Sequence, residues 1–151
     1  MSIAHDVVTF ERQAERLFVI YKEHIGRVCG SVGLTRTQYW ALYTISELGE
    51  TRMSPLAEGL GLTPGAASTL VDRLVDMGLV ERSADAADRR VVSVHLSEKG
   101  LACLSKARDG KRELLRSVVG KLAPEKRSQL LVGLDAVLGA WEQLIREELT
   151  L

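Results

Sequence analysis

Apolar positions near the start of the chain recur in steps of three and four. Phe10, Ala14, Leu17, Tyr21, Ile25 and Val28 trace one stripe of a long helix from about Val7 to Cys29. Gly30 and Gly33 are expected to end it. A second helix is expected from about Thr35 to Leu48, with Tyr39, Leu42, Tyr43, Ile45 and Ser46 near its inner side and Gly49 closing it. Ser54-Pro55 reads as an N-cap and first helical residue, after which Leu56, Ala57 and Leu60 supply the buried side of a very short helix stopped by Gly61. Thr63-Pro64 repeats the same start signal. Ala67, Leu70, Val71, Leu74 and Met77 follow at helical spacing until Gly78.

The pattern then changes period. Leu79–Ala84 and Val91–Leu96 are short runs rich in β-branched residues, separated by the polar Asp85-Ala86-Ala87-Asp88-Arg89-Arg90, and predict a hairpin with Val92, Val94 and Leu96 on one side. Arg52 and Met53 are candidates for a short third strand. Ser97-Glu98-Lys99-Gly100 caps another long helix carrying Leu101, Leu104, Leu114, Leu115, Val118 and Val119, and Pro124 opens a last one. In that last helix Leu130, Leu134, Val137, Trp141 and Leu144 form one stripe that Leu131, Leu138 and Ile145 widen. The stripe is broader than one neighbouring helix covers, so a partner subunit is its natural cover.

The order helix, tight turn, helix, hairpin is that of a helix-turn-helix followed by a wing, within a mainly α chain. A helix fits the major groove of duplex DNA. If the stripe of the segment Thr63–Met77 is buried, Gly65, Thr69, Asp72 and Asp76 point outward, with Ala66, Ser68 and Arg73 on the flanks. Small groups at its start let the backbone approach base edges, and the free N–H groups there attract phosphate. The Ser68 and Thr69 hydroxyls can donate or accept at bases. Arg73 can reach a phosphate or a guanine, or pair with Asp72 or Asp76 on its own surface. At the hairpin tip, Asp88-Arg89-Arg90 can send a guanidinium into the minor groove, or form a solvated turn.

Composition narrows the function classes. The 151 residues suit one domain of ordinary size, and 46% hydrophobic with 26% charged residues is a globular composition. Twenty basic and twenty acidic residues cancel, which excludes a protein that coats DNA by charge alone and leaves DNA binding to local placement. No run reaches the length of a membrane span and the first residues are charged, so the expected location is cytoplasmic, away from membranes. Cys29 and Cys103 form no CxxC, and His5, His24 and His95 are scattered, so neither a disulfide framework nor a metal site is signalled. Nucleophile-elbow, phosphate-loop and dinucleotide motifs are absent, and neither an enzyme nor a cofactor is expected.

The segments Leu56-Ala57, Leu60-Gly61-Leu62-Thr63, Leu70-Val71-Asp72-Arg73-Leu74, Gly78-Leu79-Val80, Asp85 to Arg90 and Leu96-Ser97-Glu98-Lys99-Gly100 resemble the MarR family of bacterial and archaeal regulators. The likeness extends over nearly the whole chain. It implies a single domain over 1–151, with a winged helix-turn-helix lobe at 34–98 between dimerisation helices at 1–33 and 99–151. It implies a homodimer, joined through residues such as Phe10, Leu17, Leu134, Leu138, Trp141 and Ile145, on a pseudo-palindromic operator. It further implies a repressor whose affinity for double-stranded DNA a small ligand lowers. Thr63, Pro64, Gly65, Ala66, Ser68, Thr69 and Arg73 then take the recognition helix's DNA-facing positions, and Asp88, Arg89 and Arg90 those of the wing. The chain departs from the family pattern at Ala87 and Thr69, where a basic residue is common.

Family ligands are often phenolic or aromatic acids, and Tyr21, His24, Tyr39 and Trp40 are the candidates to line such a site; core packing explains the same residues. Two other functions remain open on the sequence. One is an oxidant- or metal-responsive regulator acting through Cys29 or Cys103, against which stands the use of free cysteine as a small buried hydrophobe. The other is a winged-helix protein-interaction module that does not bind DNA.

Overall fold

A computed structural model of the chain describes residues 2–84 and 92–148, with only the backbone of Ala84. Its elements are α1 (Ile3–Ser31), α2 (Arg36–Leu48), β1 (Thr51–Arg52), α3 (Met53–Gly59), α4 (Pro64–Asp76), β2 (Val80–Ala84), β3 (Val92–Leu96), α5 (Glu98–Val119) and α6 (Pro124–Glu148). The three strands form one antiparallel sheet in the order β1-β3-β2. A mainly α chain with a small winged sheet is the architecture that the hydrophobic pattern predicts. The described residues fall into two compact units, one ending at Lys111 and the other beginning at Arg112.

In the first unit, helix starts follow local chemistry. The Thr35 hydroxyl accepts from the Gln38 N–H while the Gln38 side chain accepts from the Thr35 N–H, a reciprocal box that satisfies two donors at the head of α2. Several boundaries differ from expectation, beginning with α1, which starts at Ile3 rather than about Val7. α1 runs through Gly30 to Ser31, and the turn falls at Gly33, where φ is +76°. The N–H groups of Val32 and Leu34 both close on the Cys29 carbonyl. α3 begins at Met53 with Arg52 before it, so Ser54-Pro55 lies inside the first turn, where proline's missing donor is harmless. Because Met53 is helical, β1 is Thr51–Arg52, pairing Thr51 with Val94 and Arg52 with Ser93. β2 starts at Val80 because Gly78, at φ +70°, and Leu79 make the turn out of α4.

The core of this unit gathers Tyr39, Leu42 and Ile45 of α2, Leu56 of α3, Val71 and Leu74 of α4, Val80, Val94, and Leu104 of α5, all fully buried or nearly so. Each such side chain contributes roughly 1.5–3 kcal/mol through burial. Ala41 is buried too, whereas Tyr43 and Ser46, expected inside, sit half-buried at the rim. There the Arg108 guanidinium lies 5.2 Å from the Tyr43 ring centre and bonds Ser46 Oγ and Glu47. On β3 the expected alternation yields one buried residue, Val94, since Val92 lies exposed and Leu96 half-buried.

In the second unit α6 opens at Pro124, as expected, and has no buried residue. Leu130, Leu131, Leu134, Leu138, Trp141, Leu144 and Ile145 are all exposed. No helix among the described residues is long and apolar enough to cross a membrane.

Candidate nucleic-acid interface

The geometry of α4 follows from its first four residues. Thr63 has extended backbone (φ −67°, ψ 153°), its hydroxyl accepts from the Ala66 N–H at 3.3 Å, and its carbonyl accepts from Ala67. Pro64 has no N–H, which leaves the N–H of exposed Gly65 for an incoming acceptor. Ala67, Val71 and Leu74 anchor the inner side, so Gly65, Ala66, Thr69, Asp72, Arg73 and Asp76 face outward and Ser68 is half-buried. The start of the helix thus offers a nearly side-chain-free approach to its backbone.

Side-chain bonding refines the sequence reading of this face. The Thr69 hydroxyl donates to the Gly65 carbonyl at 3.0 Å, so its proton is committed to the helix and it faces outward as an acceptor. The carboxylate of Asp72 is held by Arg82 of β2 at 2.7 Å. Arg73 is exposed and makes no ion pair among the described residues, so the expected alternative of pairing with Asp72 or Asp76 is not adopted. The Asp72–Arg82 contact joins a helix and a strand whose phases are not comparable along the chain, so the sequence pattern does not reveal it. Asp88, Arg89 and Arg90 lie outside the described residues.

The base of the wing is held from both ends. β2 and β3 pair from Val80 opposite Leu96 to Ala84 opposite Val92, and the Ser83 hydroxyl donates to Glu50 at 2.6 Å. Glu81 and His95, directly opposed, stand 3.4 Å apart. Where β3 enters α5, the Ser97 hydroxyl donates to the Gly78 carbonyl (2.7 Å) and accepts from the Gly100 N–H (3.0 Å). The Lys99 ammonium donates to the Met77 carbonyl at 2.6 Å. The Ser-Glu-Lys-Gly segment therefore caps α5 and ties it to the end of α4.

The candidate sensor residues separate. Tyr21 and Trp40 line an open cleft of about 440 Å³ together with Phe18, Lys22, Ile25, Arg36 and Leu60. Tyr39 and His24 do not line it. Tyr39 is buried, its ring edge-on to Trp40 with centres 5.4 Å apart, and the His24 ring is bound to the Ile20 carbonyl at 2.8 Å. Sequence reasoning missed Lys22 and Arg36, the cationic side of the cleft. Arg36 is held there by donating to the Lys22 carbonyl at 3.1 Å, a contact across 14 residues.

Both cysteine thiols are pushed above the ordinary cysteine range by burial. Arg36 opposes that shift at Cys29, as do Lys106 and then Lys99 at Cys103. Burial outweighs the nearby lysines at Cys103, and a suppressed thiolate argues against an oxidant switch at either site. No group of three or more metal-ligating side chains occurs among the described residues. Phe10, Leu17, Leu134, Leu138, Trp141 and Ile145 are each between 45% and 63% exposed, too open for core residues of this chain.

A helix-turn-helix with an outward second helix and a three-stranded wing base defines a winged-helix DNA-binding fold of the kind used by transcriptional regulators. Comparison with known proteins gives the particular group. The MarR family pattern matches residues 34–92. YhbI of Bacillus subtilis, an HTH-type transcriptional regulator, is 31% identical over 104 residues, 67% of this chain and 68% of that protein. The chain belongs to the MarR family. It also resembles the HTH-type transcriptional repressor MdtR of B. subtilis, with 26% identity over 97 residues, covering 64% of this chain and 63% of MdtR. A mutant MarR from E. coli complexed with operator DNA shares the fold at a TM-score of 0.68 and 22% identity, over 91% of this chain and 99% of that one.

Proposed function

We propose that the chain is a homodimeric repressor that binds a pseudo-palindromic operator through α4 and the wing, and that an aromatic acid or phenol in the cleft beside Trp40 lowers its affinity. The observation that carries this reading is the outer face of α4: a capped start of small residues, followed by an exposed Arg73 that no carboxylate among the described residues engages. A helix so presented has an exposed cation and an accessible backbone end, the two features by which a docked helix meets phosphate and base edges. In this reading Thr63, Pro64, Gly65, Ala66, Ser68, Thr69 and Arg73 make the major-groove contacts, and Asp88, Arg89 and Arg90 act at the minor groove. The lobe is 34–98, and 1–33 and 99–151 supply the dimer contacts. The operator-bound MarR supports a DNA-facing use of this fold, and the similarity to MdtR supports repression.

The cleft suits an organic anion because Phe18, Tyr21 and Trp40 supply flat apolar surface and Lys22 and Arg36 supply positive charge. The test of the DNA reading is selection of bound duplexes from a random pool, followed by titration of the selected duplex over a range of salt. Wild-type protein is expected to bind with a submicromolar Kd. Arg73→Ala is expected to bind about tenfold more weakly, with a salt slope smaller by about one. Failure to enrich any duplex, with the protein folded, contradicts the reading and favours a protein-interaction module.

A further inference from the structure

We infer that Arg82 is a positioning residue for DNA recognition, one that acts through Asp72 to orient α4 on the wing base and to neutralise a carboxylate on the DNA-facing surface. The inference rests on the reading that the outer face of α4 meets DNA. Asp72 stands on that face one helical turn beyond Thr69, where an uncompensated carboxylate would oppose phosphate at close range. The Arg82 guanidinium meets it at 2.7 Å.

The strand's phase explains why Arg82 reaches it. Arg82 shares a sheet face with buried Val80 and sits directly opposite buried Val94, so its side chain leaves the sheet on the side of the core rather than toward open solvent. Its Cα is fixed by that pairing, and Ser83, the next residue, is tied to Glu50. One end of the ion pair is therefore held by the sheet, and the other fixes where the Asp72 carboxylate of α4 lies against the wing base. Both side chains are partly solvent-exposed, at 38% and 53%, so the pair adds little to folding, while α4 is already anchored by Ala67, Val71 and Leu74. Docking on DNA removes that water, and the same pair then governs charge and geometry at the interface.

The experiment measures affinity of the full chain for its selected duplex and for a scrambled duplex across a salt series. It uses wild type, Arg82→Gln, Asp72→Asn and the double variant, with thermal melting of each. Arg82→Gln is expected to weaken selected-duplex binding about tenfold, and adding Asp72→Asn to restore it to within about threefold of wild type, because no lone carboxylate remains. Asp72→Asn alone is expected to lower discrimination between the two duplexes about tenfold, because the freed Arg82 cation then favours any phosphate. The inference is overturned if Arg82→Gln binds as wild type, or if the double variant stays as weak as Arg82→Gln with a salt slope lower by about one, the sign of a direct phosphate contact. Should Arg82→Gln melt below the assay temperature, the Asp72→Asn ratio decides, and an unchanged ratio overturns the inference. A wild type that binds neither duplex refutes the reading of α4 itself, a result separate from any of these.

Discussion

Gly100 shows how a single residue can fix the junction on which the DNA-binding lobe depends. Its N–H bonds the Ser97 hydroxyl, and a Cβ built on it would overlap the Leu79 carbonyl oxygen, a backbone atom already accepting from the Ser97 N–H. No rotamer relieves a clash between a Cβ and a backbone carbonyl. Gly100→Ala is therefore expected to cost about 2–3 kcal/mol and to lower Tm by roughly 5–10 °C in a calorimetric or circular dichroism melt. A melt within 1 °C of wild type would show that α5 shifts away from Leu79 freely. The two cysteines mark the opposite kind of residue. Burial holds their protons on, so their contribution to stability is complete below the unfolded-chain thiol range and fades as pH rises through the higher folded values, on the alkaline side of neutrality.

Elements were legible in the sequence to the extent that their signals are local. The starts of α2, α4 and α5 were readable because a hydroxyl at Thr35, Thr63 or Ser97 bonds an N–H three residues on, an interaction complete within one turn. The start of α3 was misplaced by two residues because it is set by the pairing of Thr51 and Arg52 with β3, some forty residues away in sequence. The Asp72–Arg82 pair and the cleft were hidden for the same reason, since a helix phase and a strand phase, or α1 and α2, must first be brought together in space. Trp40 offers a measurement at this scale. Salicylate, used as a probe aromatic acid, is expected to quench Trp40 emission saturably in a Trp141→Phe background and to weaken DNA binding at the same concentrations. With Arg36→Ala the apparent Kd for salicylate is expected to rise about tenfold, for loss of a charge-assisted bond. Quenching unaffected by Arg36→Ala would remove the cleft as the site.

For the whole molecule, the outcome turns on apolar surface and symmetry. The terminal helices α1 and α6 present Leu17, Phe18, Val19, Leu131, Leu138 and Ile145 to solvent, more than scattered exposed residues account for. In the proposed dimer a second copy would cover such surface and set two α4 helices on one duplex, and a closed two-fold arrangement would oblige the operator to mirror it. With a net charge of zero, bulk attraction adds little, and in the proposed dimer the pairing of two such helices would supply the affinity. The most direct measurement is a hydroxyl-radical footprint of wild-type protein on its selected duplex, read with the binding stoichiometry. The account predicts two chains per duplex and two protected patches centred about 10 base pairs apart, related by a two-fold axis. One chain on a single patch, or protection spread without register along the DNA, would contradict it.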